Sequence, residues 1–92
     1  MNSIEFIFAL HEGGYTQEQC QKIDNILIEC ARRYPYSLDE LQSAAHQYLI
    51  CCRDVDKLIG FIKLSDEMCR GYCASWEQAH GFVLNVVVGW CG

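Results

Sequence analysis

Apolar residues recur at intervals of three and four along most of this chain, the spacing that stacks side chains on one face of an α-helix. The series Cys20, Ile23, Leu27, Cys30 and Tyr34 is one such stripe, widened by Ile26 and Ala31. Ahead of it, Thr16 and Gln19 have the spacing of a capping box, in which the hydroxyl accepts from a free backbone N–H and the amide reaches back. Arg32 and Arg33 suit the negative end of that helix, and Pro35 stops it. Ser37 and Glu40 repeat the box, with Tyr36 and Leu41 at the spacing of a hydrophobic staple. From there Leu38, Leu41, Ala45, Tyr48, Cys52, Val55, Ile59 and Ile62 keep the rhythm, which fits one long helix or two. A break near Arg53 and Asp54 is favoured, because Arg53, Asp54 and Asp56 can recap the chain and Gly60 weakens the second half.

Before these, Asn2 and Glu5 open a short apolar segment that runs through Leu10 to Gly13-Gly14, favoured as a helix ending in a turn. After them, Ser65, Asp66 and Glu67 resemble another N-terminal cluster, starting a short helix or extending the previous one. Ser75 and Gln78 form a third box before the stripe Trp76, Ala79, Val83, Val86 and Trp90, with Phe82 and Val87 beside it. The last segment, residues 82–91, is also compatible with extended chain, since the β-branched run Val86, Val87, Val88 favours a strand. The fold expected is all-α: a compact bundle of four to six short helices, one domain over residues 1–92.

Composition adds the exclusions. Twelve acidic against seven basic side chains give a net charge of −5, and no basic cluster exists to meet a phosphate backbone, so direct nucleic-acid binding is not expected. No glycine-rich phosphate loop followed by lysine is present. Residues 1–10 hold no Lys or Arg and carry Glu5 within the apolar run, unlike an export signal. The apolar stretch over residues 82–91 is about half a membrane span. A cytoplasmic protein without a membrane segment is therefore expected, its seven cysteines reduced and mostly acting as small core hydrophobes.

Cys69 and Cys73 stand one helical turn apart with His80 beyond, and Cys51, Cys52 or Cys91 could complete four metal ligands, but the close cysteine pairs of zinc sites are absent. No nucleophile turn or oxyanion loop surrounds any cysteine or histidine. No cofactor, metal or catalytic site is assigned, and an enzyme is not expected. A helix-turn-helix through residues 34–37 would lead into Leu38, Asp39 and Glu40, the wrong charge for phosphates.

What remains is a non-enzymatic protein that binds another protein, one with a basic surface, through acidic side chains and aromatic anchors. The candidate partner-binding residues are Asp24, Glu29, Asp54, Asp56, Tyr36 and Trp76. A stripe left over from core packing would serve a homodimer. In size and charge alone the chain is similar to the small acidic inhibitors that phages direct against host defence, anti-CRISPR proteins among them, an analogy that transfers no residue. The alternatives are a Cys/His metal-stabilised or redox module and a self-associating helical adaptor.

Overall fold

The computed structural model describes residues 3–91, with side chains described up to Gly89. Five α-helices follow one another: α1 (Ser3–Glu12), α2 (Gln17–Arg33), α3 (Leu38–Cys51), α4 (Leu58–Gly71) and α5 (Trp76–Cys91), with a 3₁₀ turn at Val55–Lys57 between α3 and α4. No strand is present among the described residues. The helix starts follow the side chains that cap them. Thr16 Oγ1 accepts from Gln19 N at 3.2 Å while Gln19 Oε1 accepts from Thr16 N at 2.9 Å. Ser37 with Glu40, and Ser75 with Gln78, make the same reciprocal pairs. The expected cap at Asn2 and the side chains of Trp90 and Cys91 lie outside the described residues.

One hydrophobic core joins all five helices: Phe6 and Leu10 from α1, Ile23 and Leu27 from α2, Leu41, Tyr48 and Leu49 from α3, Leu58, Phe61 and Ile62 from α4, and Trp76 and Val83 from α5. The Cα radius of gyration is 12.4 Å, matching the ~12 Å expected of a folded chain this long. At the centre the Tyr48 and Phe61 rings lie nearly parallel, 4.8 Å apart with 9° between their planes.

The chain breaks between α3 and α4. Arg53 adopts a φ of 52°, in the left-handed region, and Asp54 then caps the 3₁₀ turn by accepting from Asp56 N at 3.1 Å. The strain at Arg53 is offset by its guanidinium, which lies 4.8 Å from the centre of the Tyr15 ring and donates from Nη2 to Gly13 O at 2.6 Å. Tyr15 in turn donates its hydroxyl to Leu49 O at 2.8 Å, so the α1–α2 turn is fastened to the end of α3.

One helix register is corrected, and two alternatives left open by the sequence are decided. The stripe that ran straight from Cys52 to Ile59 slips at the break: Ile59 is 49 % exposed and Leu58 is fully buried, because a left-handed residue and three 3₁₀ residues rotate α4 relative to the helical phase of α3. Of the two alternatives for Ser65, Asp66 and Glu67, extension of the preceding helix is the one found. Ser65 and Asp66 are buried in the middle of α4, where Ser65 Oγ donates to Phe61 O at 2.8 Å. Residues 82–91 are helical and not extended, since the Ser75 box starts a helix that buries Val83 and packs Val87 on the core. The few tenths of a kcal/mol that each valine costs in a helix are outweighed. On that helix Phe82 and Val86 are exposed, so the stripe passes through Val87 and not Val86.

Candidate functional site

The first turns of α3 and α5 lie side by side, and Trp76 ties them together by donating its indole N–H to Glu40 O at 3.2 Å. Beside this contact opens a cleft of about 320 Å³ lined by Asp39, Glu40, Ser43, Gln47, Trp76, Glu77 and His80. Asp39, Ser43 and Gln47 reach it together because a four-residue spacing keeps them on one face of α3. The three carboxylates are there for a local reason too: each sits in a helix first turn, where negative charge complements the helix dipole. Glu40 also serves the Ser37 box, accepting from Ser37 Oγ at 3.2 Å. No lysine or arginine lines the cleft.

Trp76 is held from behind. Its ring stacks on Tyr36, with centroids 4.1 Å apart and planes inclined by 27°, and it tilts against His80 at 5.4 Å. Tyr36 donates its hydroxyl to Asp66 Oδ1 at 2.8 Å, and Asp66 is paired with Arg70, Nη2 to Oδ2 at 3.0 Å. Burial first, then the neighbouring Cys69 thiol and Asp66 carboxylate, push the Tyr36 hydroxyl far above the usual tyrosine range, so it stays a donor.

His80 is 5 % exposed, and its Nδ1 is buried with no hydrogen-bond partner. Burial pushes the imidazole below the usual histidine value, with Glu77 opposing. The unfolded chain therefore binds the proton more readily, and the stability linked to His80 is complete above the unfolded value of about 6.5 and is lost as pH falls below it. Between pH 7 and 5 the expected slope is at most about 1.4 kcal/mol per pH unit. Urea unfolding across that range should show it in the native chain and show it reduced in His80→Gln.

Of the six residues predicted to bind a partner, the structure brings Tyr36 and Trp76 together, but only Trp76 lines this cleft, with Tyr36 stacked behind it. The four acids lie elsewhere. Asp54 caps the 3₁₀ turn and has Lys57 Nζ at 3.8 Å; Asp56 accepts from Lys22 Nζ at 2.6 Å, and this pair lowers its pKa. Glu29 faces Arg33 Nε at 3.6 Å on the exposed side of α2, and Asp24 is half-buried on the same helix. The cleft acids Asp39, Glu40 and Glu77 were missed as a group, although two capping boxes followed by acids were the available signal. Cys69, Cys73 and His80 do not converge: Cys69 Sγ donates to Ala74 O at 2.9 Å, and Cys73 is exposed with a φ of 52°. Among the described residues no group of three His, Cys, Asp or Glu side chains is placed to hold a metal ion. No described helix is long and apolar enough to cross a membrane.

No protein-family model, curated protein or solved structure matches the chain.

Proposed function

We propose that the protein acts without catalysis, by binding another protein, and that the α3–α5 cleft receives a lysine or arginine side chain from that partner's basic surface. The observation that carries this is the composition of the cleft: three carboxylates, with no lysine or arginine among its lining residues. A guanidinium entering it meets carboxylate oxygens, where bidentate hydrogen bonding favours arginine, and the small exposed part of Trp76. The net charge of −5 steers such a partner toward the surface before contact. A partner whose basic surface ordinarily holds nucleic acid would be blocked by this occupancy, and the protein would then be an inhibitor.

The test uses a tetra-arginine peptide as probe, followed by two-dimensional amide NMR. A saturable shift of the Trp76 indole N–H and of the Glu77 amide is expected, weakening with added salt. Asp39→Asn with Glu77→Gln should weaken it by about tenfold or more while leaving the fold's spectrum in place. Shifts scattered over every acidic helix without saturation, or no response at Trp76, would overturn the proposal.

A further inference from the structure

Helix α2 turns Cys20, Ile23, Leu27 and Cys30 into the core, and on its outer side it borders a groove of about 500 Å³ whose other wall is Ile59 of α4. The groove is floored by Ile26 and Tyr34 and edged by four charged residues of α2: Glu18, Lys22, Glu29 and Arg33. At about 100° per residue these four fall within an arc of about 60°, so they form one line along the helix. Read along it, the charges run negative, positive, negative, positive.

That order is self-complementary in one direction only. If a second copy lays its α2 antiparallel across the groove, with the two-fold axis midway between Asn25 and Ile26, Glu18 comes level with the partner's Arg33. On the same axis Lys22 comes level with the partner's Glu29. Symmetry repeats both, giving four opposite-charge pairs along the seam, flanked by the apolar groove residues Ile26, Tyr34 and Ile59 from each copy. A parallel arrangement would set every charge against its own like. We infer that this face is a homodimer interface, closed by antiparallel pairing of α2 with α2 of a second copy.

The charges already have neighbours within the chain, Lys22 with Asp56 and Glu29 with Arg33, but all four side chains are more than half exposed. Exposed pairs of this kind hold weakly and can be shared or exchanged on contact. The interface lies on a different face from the α3–α5 cleft and stands or falls independently of it.

Sedimentation equilibrium from about 5 to about 500 µM, a range that brackets modest helix-pair affinities, tests the inference. The native chain should move from the monomer mass toward twice that value. Lys22→Glu and Glu29→Lys each set like charges together at two points and should each weaken the dimer about tenfold or more. Mixed in equal amounts, the two variants answer each other's charges and should associate as the native chain does. Circular dichroism of each variant separates loss of association from loss of fold. A native chain that stays monomeric, single variants that dimerise as tightly as native, or a mixture that fails to associate would each overturn the inference.

Discussion

Replacing Phe61 with alanine should cost about 3–5 kcal/mol of folding stability, the range for deleting a buried aromatic ring whose neighbours cannot collapse into the space. The ring is 3 % exposed and stacked on Tyr48, so the substitution removes both its burial and one face of a central aromatic pair. A chain of 92 residues has a total stability of about 5–14 kcal/mol, so the loss is about a fifth or more of the whole. Phe61→Leu, which keeps most of the volume, should cost about 1–2 kcal/mol. Urea unfolding followed by circular dichroism distinguishes the two. Equal costs for both would mean that the stacked ring itself, and not the volume it fills, holds α3 to α4.

The second large effect is expected at Asp66. Its carboxylate is buried on one side, where it accepts the Tyr36 hydroxyl, and reaches the half-open guanidinium of Arg70 on the other. Asp66→Ala leaves the Tyr36 hydroxyl without its acceptor and frees the ring that backs Trp76. A cost of about 2–3 kcal/mol follows from losing a charged hydrogen-bond acceptor at a part-buried site. Tyr36→Phe should cost less, about 1–2 kcal/mol, because Asp66 keeps Arg70. A double-mutant cycle between the two positions should return a coupling of at least about 0.5 kcal/mol, and strict additivity would show that the hydrogen bond contributes nothing. Because the Tyr36 ring supports Trp76, Asp66→Ala should also broaden the indole N–H resonance at the cleft, a change that a purely local loss would not produce.

Local chemistry made much of this fold legible. Each reciprocal Ser or Thr box with Glu or Gln three residues on became a helix start, since the partners that satisfy free backbone N–H groups are neighbours in sequence. The break at Arg53 was visible in the same way. What followed it was not: Ile59 and Leu58 exchange places because the face of α4 depends on dihedral angles of the connection, which the three-four rhythm does not encode. Asp66 was illegible for a different reason. Its acceptor role depends on Tyr36, thirty positions away in sequence, and a buried carboxylate reads as a solvated helix start until that partner is known. The cleft combines both situations. Asp39, Glu40 and Glu77 were each explicable as first-turn acids, and only the docking of α5 on α3 makes them one surface.

The fastening of Tyr15 and Arg53 to Gly13 and Leu49 has a consequence for the helix that precedes it. It pins the C-terminal end of α1, whereas toward the opposite end the Phe6 ring is buried and Gln42 Nε2 donates to Ser3 Oγ at 3.2 Å. Ile4 and Phe8 point outward and add nothing to the core. Helix α1 gives the core two buried side chains, Phe6 and Leu10, fewer than α3 or α4, so its local release is expected to expose less buried surface than opening either of them. Amide protons of its first turns should exchange with solvent through that local event, well ahead of those around Tyr48 and Ile62, which wait for the whole bundle to come apart.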